Sequence, residues 1–199
     1  MSLSNKQILK RLKSSSVGIA GLGGIGSGVA LSLARAGVGH LVLVDFDIVD
    51  ESNILRQQYF RSQIGSPKVF ALKENILKIR EDITITCHDI RLSPQNIPQI
   101  FKDVDIAIEA LDCPEEKAMF VEKFRLYFPQ KPVIAVSGIA GIDSGEFIVT
   151  RRVSDNFFII GDEVSEQSSD NLLWPTRIGI AFSKQAHLAL RLLLGLDPI

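Results

Sequence analysis

Apolar residues along this chain come in short unbroken runs, separated by longer stretches with helical spacing. Val17-Gly-Ile-Ala20, Leu41-Val-Leu-Val44, Val104–Ile108 and Val133-Ile-Ala-Val136 are such runs. Runs of this length, rich in β-branched residues, read as strands buried on both faces. Ile83–Cys87 alternates and reads as a further strand. Helices are expected over 4–13, about 27–36, 68–79, 94–102 and 114–127, with Gly37 closing the second and Pro114 opening the last. Residues 46–66 have weak periodicity and read as an irregular connection. Strands and helices thus alternate from 16 to 137, the pattern of a mostly parallel sheet with helices on both faces. After Ser137-Gly138 the pattern changes. Glu146–Val153 and Asn156–Ile160 read as a hairpin, 161–171 as a polar, mobile loop, and Pro175–Leu194 as a closing helix. No boundary interrupts the chain, so a single domain over 1–199 is expected, with the hairpin and last helix as an elaboration on the same sheet.

The first strand runs directly into Gly21-Leu-Gly-Gly-Ile-Gly26. Gly21, Gly23 and Gly26 fit G-x-G-x-x-G between a strand and a helix, where a side chain would block the approach of backbone to phosphate and the helix amino end attracts the anion. Asp45, at the end of the second strand, is placed to accept hydrogen bonds from a ribose. The fold class is therefore α/β and Rossmann-like, with nucleotide as the ligand class. The glycines alone do not separate ATP from NAD, and Gly24 adds only a small hint. The next segment, Asp45-Phe-Asp-Ile-Val-Asp-Glu-Ser-Asn53-Ile-Leu-Arg56-Gln57 followed by Gly65-Ser-Pro-Lys68, bears on the choice. A dehydrogenase has no chemical use for an Arg and a Lys after the ribose acid, whereas an enzyme that attacks a triphosphate does. The alternative for Arg56 and Lys68 is a pair of ordinary surface charges on a solvated loop.

The glycine run, Asp45-Phe-Asp47, Ser52-Asn53, Arg56-Gln57, Gly65-x-Pro-Lys68 and Asp112 together resemble the ThiF/MoeB group of the ubiquitin-activating-enzyme superfamily, in order and spacing, over roughly residues 16–140. Gly161-Asp162 and Gln185-Ala186…Leu194-Gly195 are similar to a shortened ThiF subfamily associated with thiamine biosynthesis. The resemblance implies that Gly21, Gly23 and Gly24 lie against ATP, that Asp45 holds the ribose, that Asn53, Arg56 and Lys68 contact the triphosphate, and that Asp112 binds Mg²⁺. It implies adenylation of the terminal carboxylate of a small ubiquitin-like sulfur carrier, ThiS-like with a Gly-Gly tail, by a homodimer. That chemistry needs no general base, because the attacking carboxylate is already ionised at neutral pH. Arg56, Lys68 and the Asp112 metal would align the groups and neutralise charge. A simpler role for Asp112 is a cap on the helix 114–127.

Composition narrows the remaining classes. Lys plus Arg number 22 against 23 Asp plus Glu, so no whole-chain field favours nucleic acid or an anionic membrane. No run approaches the about 20 apolar residues of a membrane span, and Met1–Gln7 lacks a signal-peptide core. Cys87 and Cys113 form no CxxC pair, and His40, His88 and His187 are scattered. A cytoplasmic protein without zinc or disulfides is therefore expected. Many members of the resembled family carry two CxxC pairs, and some a cysteine in the loop before the last helix; this chain has neither. Cys113 stands where relatives usually have Asn, and reads as a small half-buried side chain. Arg11 is the candidate for the N-terminal Arg that many relatives lend to a partner subunit's ATP, although a solvated basic helix explains it as well. Two rival functions remain: an NAD-dependent oxidoreductase, which leaves Arg56, Lys68 and Asp112 without a task, and a nucleotide- and carrier-binding module without turnover.

Overall fold

The computed structural model describes residues 3–197; the first two and last two residues of the expected domain lie outside it. A helix α1 (Asn5–Lys13) opens the chain. Ser4 caps it reciprocally with Gln7, each side chain accepting from the other's backbone N–H. Five β-strands then alternate with helices: β1 (Ser16–Ala20), α2 (Gly24–Ala36), β2 (His40–Asp45), α3 (Lys68–Leu77), β3 (Thr84–Asp89), α4 (Ile97–Ile100), β4 (Ile106–Glu109), α5 (Pro114–Tyr127) and β5 (Val133–Val136). The chain ends with β6 (Val149–Ser154), β7 (Phe157–Gly161) and α6 (Pro175–Leu193).

The strands form one sheet in the order β3-β2-β1-β4-β5-β7-β6, parallel except that β6 runs antiparallel to β7. Every residue of β1, β4 and β5 is buried, as their continuous apolar runs require. The edge strands β3 and β6 are more exposed, and β6 carries Arg151 and Arg152 where an unpaired edge needs charge. Two apolar clusters flank the sheet. One joins residues of α2, α3 and α6; the other is built around Phe101, Phe120 and Phe124 below α4 and α5. The Phe101 and Phe120 rings meet edge-on at 5.0 Å between centroids. This is the layered arrangement expected from the periodicity.

The direction in which successive strands are added reverses between β1 and β4. From β1 the chain winds outward to β2 and β3, then returns to β4 on the other side of β1. Carboxyl ends of strands at such a reversal leave a crevice between the following loops, where α/β sheets bind ligands.

Several boundaries differ from expectation. α2 begins at Gly24 rather than 27, so two glycines of the turn are already helical. The third parallel-sheet run is Ile106–Glu109 rather than 104–108, because Glu109 continues the ladder opposite Ala20. α4 keeps only Ile97–Ile100 of 94–102. The outer hairpin strand starts at Val149, since Gly145–Phe147 forms a 3₁₀ turn under a Ser144 cap. The polar loop 161–171 is tied at both ends. Asp162 accepts from the Val164 and Ser165 N–H groups, and Asn171 donates to the Glu166 carbonyl.

Candidate functional site

The glycine turn forms because β1 is followed at once by a left-handed residue. Gly21 has φ +86°, and a Cβ there would lie 2.6 Å from the Ala110 carbonyl oxygen. A Cβ at Gly26 would lie 1.8 Å from the Gly21 oxygen. Both glycines are therefore demanded by the fold itself: the first lets the turns after β1 and β4 touch, and the second lets α2 approach β1. A Cβ at Gly24 would lie 3.1 Å from the Arg56 carbonyl oxygen and nearly as close to Ile178. Gly23 is different. It has an ordinary extended backbone (φ −69°, ψ −151°), and a Cβ there would meet nothing nearer than the Gln57 amide nitrogen at 3.9 Å. Gly23 is also the N-cap of α2 and makes no side-chain cap, so the helix amino end opens on this side.

The peptide of Leu22, inside the turn, is held from both ends. Its N–H donates to Asp45 Oδ2 at 2.6 Å, and its carbonyl accepts from the Tyr59 hydroxyl at 2.8 Å. Asp45 Oδ1 accepts from the Asp47 N–H at 2.8 Å. Burial pushes the Asp45 carboxyl above its usual range, against the opposing pull of Lys68 and these two N–H donors. Burial likewise pushes the Tyr59 phenol well up, so the hydroxyl stays a donor. Asp45 is thus first an anchor of the glycine turn. Each carboxylate oxygen accepts one backbone N–H and keeps a further lone pair for a ribose hydroxyl.

Lys68 opens α3 and is buried, with Nζ 2.7 Å from Asp47 Oδ2. Its charge also acts on Asp45, so the lysine lies near the last residue of β2 as well as Asp47. Asn53 is buried in a 3₁₀ turn closed by Asp50: Asn53 Oδ1 accepts from the Asp50 N–H at 3.1 Å. The N–H groups of Arg56 and Gln57 donate to the Asn53 carbonyl, which sets Arg56 beside Gly24 and Gln57 beside Gly23. The Arg56 guanidinium donates to the Ser52 carbonyl at 2.7 Å. Gln57 Oε1 is buried without a hydrogen-bond partner, while its Nε2, a donor, is the side-chain atom nearest the open side of Gly23.

Asp112 is exposed in the turn after β4. The cap of α5 is Cys113, not Asp112, and Cys113 Sγ donates to Glu115 at 2.9 Å. The simpler helix-cap role for Asp112 therefore does not hold. Beneath this turn lies a pair that sequence reasoning missed. Glu109 is fully buried, and both its oxygens accept from Lys117 Nζ at 2.8 and 2.9 Å. Burial pushes the Glu109 carboxyl up, while Lys117 and backbone donors including the Leu111 N–H pull it back. From α6, Gln185 donates to the carbonyls of Glu109 and Ile134, bridging β4 and β5.

The structure thus gathers Gly21, Gly23, Gly24, Asp45, Asn53, Arg56 and Lys68 around the carboxyl ends of β1 and β2. The contact of Gly21 with the Ala110–Leu111 peptide brings the Asp112 turn alongside. An open helix end, a buried lysine, an arginine and one exposed carboxylate suit a nucleoside triphosphate with Mg²⁺, which binds through one or two carboxylates plus phosphates. Among the described residues no group of three or more His, Cys, Asp and Glu forms a cage that would hold a metal by itself. Two open clefts lie elsewhere, one along β6 and α6 at Thr150, Lys184 and His187, the other at Arg125, Lys131 and Arg152, and neither includes these residues.

The profile of the ThiF family matches residues 1–196. This chain belongs to the ThiF family. It is 39% identical over 104 residues to the probable adenylyltransferase/sulfurtransferase MoeZ of Mycobacterium tuberculosis, covering 52% of this chain and 26% of that protein. It is 37% identical over 140 residues to the adenylyltransferase and sulfurtransferase uba4 of Aspergillus clavatus, covering 70% and 28%. The aligned regions thus span little more than a quarter of these relatives. Among solved structures, E. coli tRNA N6-threonylcarbamoyladenosine dehydratase TcdA in complex with ATP superposes with a TM-score of 0.86 at 20% identity, over 96% of this chain and 90% of that one. E. coli MccB with AMPCPP and MccA superposes at 0.72 and 19% identity, over 94% and 58%. At such identities the likeness establishes the family fold: the α/β, Rossmann-like sheet expected from the sequence. No helix among the described residues is long and apolar enough to cross a membrane.

Proposed function

We propose that this chain uses Mg·ATP to adenylate the C-terminal glycine carboxylate of a small ubiquitin-like sulfur-carrier protein. The observation that carries the nucleotide part is Gly23. It alone in the glycine run has neither a strained backbone nor a close protein neighbour to explain the missing side chain, and it sits at an uncapped helix end near the Gln57 amide nitrogen. Backbone approach by a phosphate accounts for it. The adenylyltransferase names of the similar MoeZ and uba4 proteins support the reaction class.

In this reading Gly21, Gly23 and Gly24 form the bed for ATP, and Asp45 takes the ribose. Asn53, Arg56 and Lys68 take the triphosphate, and Asp112 holds Mg²⁺. The metal, when bound, neutralises phosphate charge. The carrier carboxylate attacks the α-phosphorus; the bond to the bridging oxygen breaks, pyrophosphate leaves, and an acyl-adenylate remains. Arg56 breaks from the Ser52 carbonyl to bind phosphate, and Lys68 exchanges part of its pairing with Asp47. The carrier we assign is ThiS-like and the pathway thiamine biosynthesis, on the resemblance of Gly161-Asp162 and the α6 segment. The protomers are assigned to a homodimer, which sedimentation at micromolar concentration tests.

The deciding experiment is carrier-dependent ATP–pyrophosphate exchange against a panel of Gly-Gly-tailed carriers, with ATP and NAD titrations beside it. Exchange with one carrier and ATP binding in preference to NAD are expected. NAD binding without ATP binding would favour an oxidoreductase. ATP binding without exchange on any carrier would favour a module without turnover.

A further inference from the structure

We propose that the ion pair of buried Glu109 with half-buried Lys117 is a positioning device for Asp112, setting how tightly the site takes a divalent cation. The inference rests on the reading of Asp112 as the metal-binding carboxylate. Leu111 immediately precedes Asp112, and its peptide is fixed at both ends by this pair. The Leu111 N–H donates to Glu109 Oε1 at 2.8 Å, and the Leu111 carbonyl accepts from Lys117 Nζ at 3.0 Å. Lys117 closes the triangle by donating to both Glu109 oxygens. Glu109 is rooted in β4, whose residue-for-residue pairing with β1 fixes Glu109 opposite Ala20. Its backbone carbonyl is held by Gln185. Lys117 is rooted in the first turns of α5.

A buried ion pair is a poor source of stability, because desolvation offsets most of the attraction. An apolar pair would fill the same space, but it could not hold both ends of a peptide. Asp112 itself is exposed, so the turn beneath it sets its direction. Partners that orient a ligating side chain change metal affinity by about 10–100-fold when removed.

The test compares wild type, Asp112→Ala, the double variant Glu109→Gln/Lys117→Gln, and Lys117→Arg. Replacing both charges avoids leaving one buried ion unpaired, and circular dichroism checks that each variant folds. Two quantities are read: Mn²⁺ binding by water-proton relaxation with a non-hydrolysable ATP analogue, and ATP affinity at saturating Mg²⁺. The double variant should bind Mn²⁺ about tenfold more weakly, with ATP affinity at saturating metal nearly unchanged, and Lys117→Arg should fall between it and wild type. A role confined to stability would lower the melting temperature and leave Mn²⁺ affinity as in wild type, which would overturn the proposal. If Asp112→Ala weakens Mn²⁺ binding and the double variant does not, the positioning role fails while the metal role of Asp112 stands. If Asp112→Ala binds Mn²⁺ like wild type, both fail. Should the double variant not fold, Lys117→Arg with wild-type Mn²⁺ affinity and a lowered melting temperature overturns the proposal; weakened Mn²⁺ affinity supports it.

Discussion

The turns that follow β1 and β4 face each other across the sheet reversal and solve the same problem with different chemistry. Each pins the peptide of a leucine, Leu22 or Leu111, from both ends. At Leu22 the donors and acceptors are a phenol and a carboxylate from distant segments, Tyr59 and Asp45. At Leu111 they are the two members of one ion pair, buried Glu109 and half-buried Lys117. The first turn offers a ligand its backbone, and glycines with one acceptor and one donor from distant segments suffice. The second presents a charged side chain, Asp112, and its support is itself ionic. Rigid backbone and rigid carboxylate placement thus call for different supports.

The two supports should break differently. Lys117→Met leaves Glu109 as an uncompensated buried charge and should lower stability by about 3–5 kcal/mol. Tyr59→Phe leaves one buried carbonyl unpaired and should cost about 1–3 kcal/mol. Urea unfolding of both variants measures the gap; equal losses would mean the ion pair is no more than another hydrogen bond.

Chemistry should respond where stability does not. Arg56 lies on the segment packed against the glycine turn, and its guanidinium donates to the Ser52 carbonyl at the exposed surface. Arg56→Ala should slow adenylation by about 10²–10³-fold, because it acts on charge that grows in the transition state. ATP binding should weaken far less, and comparing kcat with the ATP dissociation constant separates the two.

Within the first turn, Gly21 and Gly23 sharpen the contrast further. Gly21→Ala places a Cβ on the Ala110 carbonyl at positive φ and should destabilise the fold. Gly23→Ala has room and an ordinary backbone, so its melting temperature should hold while ATP affinity falls. Thermal melts with and without ATP read both.

The last contrast is read from a slope with pH rather than from the size of a loss, away from the turns, where Asp162 joins the loop after β7 to α6 through Arg177 Nη2 at 2.6 Å. Its burial opposes charge, but the Ser165 and Val164 donors and Arg177 together hold the carboxyl below its usual range. A depressed folded pKa adds stability above the unfolded value and loses it as pH falls through the folded one. Asp162→Asn should therefore flatten the loss of stability below about pH 5. Glu109, shifted up, has the opposite sign and cannot cause that acid limb. Urea unfolding across this range compares the slopes.

Much of this architecture is legible in the sequence, for physical reasons. Buried parallel strands need unbroken apolar runs, and a strand-to-helix turn touching its neighbour needs Gly21 and Gly26. Both signals are local. The supports are not. Tyr59 falls in a segment without periodicity, and its partner lies 37 residues away. Glu109 sits just beyond an apolar run, so its burial is invisible until β4 is paired. Lys117 has the look of a surface lysine on α5, and Asp47 meets Lys68 across 21 residues. Polar contacts between distant segments leave no period in the sequence, whereas close backbone packing leaves glycines.

The most direct test of the central claim is mass spectrometry of a carrier incubated with the protein, Mg·ATP and pyrophosphatase. The account expects an adenylyl group on the C-terminal glycine of the carrier, lost on mild base and formed about 10²–10³-fold more slowly with Arg56→Ala. Turnover of ATP with every carrier tail unmodified, or adenylylation at a side chain instead, would contradict it.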